Sequence, residues 1–417
     1  MKVPTPPPAA VASPEAFGRV GSAASLRADA ARLLPDLVAL RRDLHRHPEP
    51  GFAVPRTQAA VLDALEGLPL EITVGPDGFG SVVAVLRGAH DGPSVLLRAD
   101  MDALPVEEDT GLGYASTNGA MHACGHDLHV AGLVGAARLL CARRDEIAGS
   151  AVLMFQPGEE AGGGSPQMID AGVLEAAGVP VSAAYGIHVL PGEPGVFSTR
   201  PGPLMGGANL FRARIIGRGG HGSRPHQALD PVPALAEAIL AIQAHVTRAF
   251  SVFDPVVISV TKLRASDAVN VIPDDAEFAA TVRTLSPQSV ERLRAELPAL
   301  VSRIAEAHGC RAETTFEVVY PVTVNDAQRA TDAAATLRGL FGDDRVGLLA
   351  QPIMASEDFS FVLDRVPGAF VFLGATPSGI DPAQAEMNHS PRAVFDDGVL
   401  ADQPAALARL ALAHVGR

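Results

Sequence analysis

Three cysteines in 417 residues leave no disulfide framework to read. Cys124, Cys141 and Cys310 are an odd number, and usage this sparse fits a reducing compartment, with the cytoplasm as the default setting. Basic charge is short as well: 33 Lys and Arg stand against 47 Asp and Glu, a net charge of −14. Such a chain would not neutralise a phosphate backbone, so neither nucleic acid nor an anionic membrane is expected as a partner. No apolar run approaches the ~18 residues of a membrane-spanning helix. The opening MKVPTPPPAAVASPEAFG is rich in Pro and Ala without a continuous apolar stretch, so residues 1–24 read as a disordered leader rather than a signal peptide. A Walker loop, a G-x-S-x-G elbow, H-E-x-x-H and internal repeats are also missing.

What remains is ample for more than one domain, with 47% hydrophobic residues arranged in periodic segments. LRADAARLLPDLVALRRDLHRH has helical spacing and predicts an opening helix over 25–47. Strands are then expected at 81–86, 94–98, 151–155 and 183–189, with helices at 127–144 and 166–177 between them. That alternation predicts an α/β domain, a mixed and mostly parallel sheet flanked by helices. From 210 to 320 the order becomes strand, helix, two strands, helix, strand, the βαββαβ arrangement of a ferredoxin-like α+β domain. A strand at 370–374 and a helix at 398–414 close the chain. The reading is therefore a discontinuous α/β domain over 25–208 and 321–417, with a smaller domain inserted over 209–320.

The densest chemistry is MHACGHDLHV, Met121 to Val130, with three histidines, a cysteine and an aspartate in ten residues. Divalent ions need thiolate, neutral imidazole or carboxylate groups that converge. Cys124 and His126, two apart, can point the same way from an extended loop, and Asp127 is the expected N-cap of the helix that follows. Two ligands do not make a site, and other strand ends offer more. FQPGEE closes a strand with Glu159 and Glu160, which on extended backbone face opposite ways, so that one can hold an ion while the other meets a water. GIHV puts His188 at the end of an apolar strand, EMNHSP puts His389 in a loop before the last helix, and RADMDALP puts Asp100 and Asp102 after another strand. Asp102 reads as a group that orients a ligand. Singly, each of these residues is more often structural, as Cys141 and Cys310 read here; their shared placement after strands is the signal. GRGGHG (217–222) matches G-x-G-x-x-G, but Pro225, Pro231 and Pro233 interrupt the helix a dinucleotide fingerprint must open.

RADMDALPVEE, MHACGHDLHV, FQPGEE, GIHV, GRGGHGSRPH, AVNVIPD, ASEDFS and NHSP stand in the order found in a family of metal-dependent amidohydrolases. The chain resembles its hippurate hydrolases, N-acyl-amino-acid amidohydrolases and auxin-conjugate hydrolases, relatives of aminoacylase and carboxypeptidase G. The resemblance implies two divalent ions, zinc or manganese, held by Cys124, His126, Glu160, His188 and His389, with Cys124 in the place of a bridging aspartate. It also implies Glu159 as general base and Asp102 as the acid supporting the cluster. His221 would be a lid histidine reaching a neighbouring subunit's site, and Asn270 and Arg283 substrate-binding residues. The inserted domain would then be lid and dimerisation surface of a homodimer. The expected reaction is hydrolysis of the amide bond of an N-acyl amino acid. A dipeptidase or carboxypeptidase of the same clan is the alternative, and a non-catalytic metal-binding protein a further one, disfavoured because a carrier has no use for Glu159.

Overall fold

The computed structural model describes residues 23–416. The leader expected over 1–24 lies outside them except for Ala23 and Ala24, which instead open the first helix. The chain divides into two compact units, one formed by residues up to Gly202, Asn325–Ala350 and Val362 onward, the other by Pro203–Val324 and Gln351–Phe361. The sequence reading leaves Gln351–Phe361 with the flanking domain; its contacts are with the second unit.

In the first unit, α1 (Ala23–Arg46) buries Leu26, Ala30, Leu33, Leu37 and Leu44 along one stripe, as its spacing predicts. Pro35 sits on the exposed side of α1, where the missing N–H is least costly. α2 (Pro55–Leu65) begins on a proline, whose absent N–H would have been unpaired there anyway. The strands β1 (Glu71–Val74), β2 (Val82–Arg87), β3 (His90–Asp100), β4 (Ala148–Gln156) and β5 (Val181–Leu190) belong to one eight-stranded sheet. Its order is β1-β2-β4-β3-β5, then Gly368–Gly374, Phe197–Thr199 and Val346–Leu348. β4, β3, β5 and Gly368–Gly374 run parallel, and antiparallel pairs flank them, so the sheet is mixed. The central strands are buried on both faces, which explains why AVLMF is an unbroken apolar run rather than an alternating one.

α3 (His126–Cys141) packs between the sheet, α1 and the terminal helix Gln403–Val415, with only Arg138 and Cys141 less than fully buried. The helix expected over 166–177 is broken. Its α-helical part ends at Asp170, because Gly172 takes a φ of 87° before a short 3-10 turn at Val173–Glu175. The last helix likewise starts at Gln403 rather than at 398, since Pro404 belongs in a first turn and a 3-10 turn precedes it. No helix among the described residues is long and apolar enough to cross a membrane.

The second unit has a four-stranded sheet in the order Val257–Arg264, Asp275–Thr284, Gly207–Ile216, Arg311–Tyr320, every neighbouring pair antiparallel. Helices Pro231–Ala249 and Pro287–Ala307 cover the face that presents Phe211, Ala213, Ile215, Phe278 and Ala280. Alternate residues such as Arg212 and Arg214 face solvent, the period-two pattern of a half-buried sheet. Asp230 and Ser286 cap the two helices by accepting from the N–H groups of Val232 and Ser289, each followed by a proline.

The buried side of α1 also carries charged groups: Asp29, Arg41 and His45 are 2%, 0% and 1% exposed. Arg41 Nη1 donates to the Tyr114 hydroxyl at 2.7 Å and to Asp397 Oδ1 at 2.9 Å, while its Nε lies 2.8 Å from Asp127 Oδ2. His45 Nδ1 is 2.7 Å from that same oxygen, and its Nε2 is 3.2 Å from Glu108 Oε1. Burial opposes charge on His45, but the carboxylates at both nitrogens raise its pKa. Burial also opposes the Glu108 carboxylate, yet hydrogen bonds from His45, Thr110 and the Ser116 N–H hold its pKa down to about 2. A carboxylate lowered from an ordinary 4.5 to about 2 adds stability above pH 4.5 that is lost as pH falls toward 2. Thermal unfolding followed from pH 5 to pH 3 is therefore expected to fall less steeply with acid in Glu108→Gln than in the wild type, with the variant less stable at pH 7. Parallel curves would remove Glu108 from the acid response.

Candidate metal centre

The carboxyl ends of β3, β4 and β5 meet the start of α3, and the side chains singled out in the sequence converge there. The ligand atoms of Cys124, Glu160 and His389 lie within 4.8 Å of one another, as do those of His126, Glu159 and Glu160, and those of Asp100, His126, His129 and His188. Cys124 Sγ is 3.4 Å from His188 Nε2, and His389 Nε2 is 2.9 Å from Glu160 Oε1.

Backbone geometry explains the convergence. Asp127 is not the N-cap. Gly125 is, with a φ of 80°, and it offers no side-chain cap bond. The segment between Cys124 and His126 is thus a left-handed turn rather than the extended loop expected, and that turn aims both side chains inward. A Cβ on Gly125 would lie 2.4 Å from Val189 Cγ2, so only glycine fits. His389 also has a positive φ, 73°, uncommon for a side-chain-bearing residue. Its N–H donates to Ala123 O at 3.0 Å, and Asn388 Nδ2 reaches Cys124 O at 3.3 Å and Val189 O at 3.2 Å, so the last loop is tied to two of the ligand-bearing segments.

Three of the histidines, His126, His129 and His188, differ in what their second nitrogen does. His126 Nδ1 is 2.9 Å from Asp102 O, and His188 Nδ1 is 2.8 Å from Val189 O, so backbone carbonyls hold Nδ1 and turn each Nε2 toward the cluster. His126 Nε2 is buried and has no hydrogen-bond partner among the described residues, with Asp100 Oδ2 still 3.5 Å away. His129 is spent on both sides, with Nδ1 at 2.5 Å from Asp100 Oδ1 and Nε2 accepting the Val189 N–H at 2.9 Å. Asp100 is itself paired with Arg98 at 2.5 Å. His129 therefore steadies the strand end that carries His188 and is not placed to bind an ion.

Asp102 holds the chain where it leaves β4. Its Oδ1 accepts the Glu159 N–H at 2.9 Å and its Oδ2 the Glu160 N–H at 3.0 Å. The groups of the cluster shift one another's protonation. Burial works against a thiolate at Cys124, but the neighbouring His188 and His126 outweigh it and hold the thiol well below its usual pKa. Burial raises Glu160. His389 is pushed up to about 10 by Cys124 and then by Glu160. A soft sulfur, imidazoles with Nε2 turned to the cluster and carboxylates together fit divalent ions.

The other expected site residues lie in the second unit. His221 and Asn270 are brought side by side: Gly220–His221 pairs with Val271–Ile272, and the Gly222 N–H donates to Asn270 O at 2.8 Å. Arg283, on the strand Asp275–Thr284, donates to Ser356 Oγ at 2.9 Å. Asn388 and His129 were not singled out. Only their nearness to His389 and His126 in the sequence could have marked them.

A thiolate, imidazole and carboxylate cluster at the ends of parallel strands, beside a second glutamate, is the centre of a metal-dependent hydrolase. The sequence profile described as Peptidase family M20/M25/M40 matches residues 96–413, and the chain belongs to that family. It is 37% identical over 369 residues to "Thermostable carboxypeptidase 1" of Saccharolobus solfataricus, covering 87% of this chain and 91% of that protein. It is 36% identical over 381 residues to "N-acetylcysteine deacetylase" of Bacillus subtilis, covering 90% and 96%. The crystal structure of the Bacillus subtilis YXEP protein, a dinuclear metal binding peptidase from the M20 family, superposes with a TM-score of 0.79 at 32% identity, covering 92% of this chain and 99% of that one. The protein is a metal-dependent amidohydrolase.

Gly125→Ala should test the turn. The left-handed conformation costs a side-chain-bearing residue ~1–2 kcal/mol, before the contact with Val189 is counted. Metal affinity, measured by competition with a chelator, is expected to fall by about tenfold or more. Unchanged affinity would show that the turn tolerates a side chain.

Proposed function

We propose that the protein hydrolyses the amide bond of N-acyl amino acids, releasing a carboxylic acid and a free amino acid. The observation that carries this reading is the convergence of Cys124, His126, Glu160, His188 and His389 around Glu159, with the Nε2 atoms of His126 and His188 turned to the cluster. These five would hold two divalent ions, zinc or manganese. Bound ions would supply Lewis-acid polarisation of the carbonyl and a lowered pKa for water.

The chain's own residues then act as follows. Glu159 takes the proton of the attacking water and later returns it to the leaving amine. Asp102 keeps Glu159 and Glu160 on diverging courses by holding both their N–H groups. His221, reaching the site from a neighbouring subunit, stabilises the developing oxyanion. Support comes from its tautomer: Nδ1 accepts the Ser223 N–H at 3.2 Å, which leaves the proton on Nε2 as a donor. Asn270 and Arg283 bind the substrate's polar groups, Arg283 its carboxylate. The βαββαβ order and the antiparallel sheet of the second unit support its reading as a ferredoxin-like lid. Exposed Leu240, Val252 and Phe253, 72%, 83% and 96% accessible, support its use as a homodimer surface. Three free cysteines are in keeping with a cytoplasmic setting.

A peptide substrate is the second reading, favoured by the 37% identity to a protein named as a carboxypeptidase. Amino acid release from N-acetyl, N-benzoyl and longer N-acyl amino acids, and from dipeptides and blocked peptides, after chelation and after zinc or manganese is restored, separates the two. Turnover restricted to peptides would replace the first reading by the second. Glu159→Gln is expected to retain metal while kcat falls by ~10²–10⁴-fold or more, the range for a general base. A metal-loaded Gln variant with full activity would remove Glu159 from that role.

A further inference from the structure

We infer that Asp127, gripped by Arg41 and His45, is a positioning residue for the metal centre. It pins the first turn of α3 so that Cys124 and His126 stay aimed at the ions. The inference rests on the metal reading given under Proposed function. Asp127 follows His126 directly, and successive helical residues project about 100° apart, so the same turn presents one to the cluster and the other to α1. Asp127 is 0% exposed. One of its oxygens is shared by Arg41 Nε at 2.8 Å and His45 Nδ1 at 2.7 Å, while the other accepts the Leu128 N–H at 3.0 Å.

The grip is itself anchored from several sides. Arg41 and His45 stand one helical turn apart on α1. Arg41 is held at its far end by Tyr114 and Asp397, and His45 by Glu108, whose other oxygen accepts the Ser116 N–H at 2.7 Å. Segments distant in sequence therefore fix one carboxylate. That is a restraint the helix otherwise lacks, because Gly125 supplies no side-chain cap. Fold stability alone is a weak reason for such an arrangement. Buried ion pairs can often be replaced by apolar residues at little or no loss, so what this one contributes is geometry. His126 is then held twice, its ring by Asp102 O and its backbone through Asp127.

The test uses the full-length protein, stripped by chelation and reloaded with cobalt(II), whose spectrum reports thiolate and imidazole coordination. Asp127→Asn keeps the shape of the side chain. His45→Gln leaves the Arg41–Asp127 pair in place, and carries the test if the Asn variant fails to fold. Both are expected to raise the cobalt dissociation constant ~10–100-fold, the range for groups behind a metal ligand. The thiolate-to-cobalt absorption should shift or weaken, and kcat fall with KM little changed, in addition to the fall in melting temperature that removal of one partner of a buried pair brings by itself. Wild-type cobalt affinity and spectrum combined with a lowered melting temperature would overturn the inference, leaving the cluster a structural feature. Failure of the wild type itself to bind cobalt would overturn the metal reading, and this inference with it.

Discussion

Two successive backbone N–H groups, those of Glu159 and Glu160, end on the two oxygens of a single buried carboxylate, Asp102. That contact joins the ends of the neighbouring parallel strands β3 and β4 and sets the course of the chain as it leaves the sheet. Two adjacent glutamates near one another's charge repel, and a loop free to move would swing them apart. Held by their own amides, they project from a fixed turn. The backbone carbonyl of the same aspartate holds His126 Nδ1 at 2.9 Å, so Asp102 orients a ligand on α3 as well as the pair after β4. The arrangement depends on neighbouring parallel strands ending at the same level.

The histidines show how backbone contacts sort chemically identical groups. His126, His129 and His188 lie within one cluster, and composition alone could assign an ion to any of them. The difference lies in the second ring nitrogen. Carbonyls occupy Nδ1 of His126 and His188, whereas Asp100 and the Val189 amide take both nitrogens of His129. Burial lowers the His129 pKa to about 4, with Asp100 opposing, so it stays neutral and can accept that amide proton.

Much of the architecture is legible in the sequence because it depends on local pattern. Unbroken apolar runs such as AVLMF mark strands buried on both faces, and alternation in LFRARII marks a sheet with one wet face. The gathering of Glu159, Glu160 and His188 is also legible, since each stands at or just after the end of an apolar strand and parallel strands deliver their ends to one edge. What cannot be read locally is anything decided by a distant partner. Arg41 and His45 look like solvent-facing positions in LRRDLHRH until Asp127 is packed against them. Asn388 and His129 act through backbone groups of other segments. The break at Gly172 and the left-handed turn at Gly125 are matters of φ, and a glycine in the sequence permits such a conformation without requiring it.

The burial of α3 ties these strands of argument together. A helix that is apolar nearly all round can only lie within a core, and here it has the sheet on one side with α1 and the terminal helix beside it. Its N-terminus, with the partial positive charge of a helix start, opens into the cluster just after Cys124. Water is kept from most of its length, so that field is poorly screened and favours a thiolate where a surface helix would do so only weakly. Packing that stabilises the fold thus also conditions the sulfur. A polar substitution on the buried flank of α3, remote from every ligand, would act on both at once.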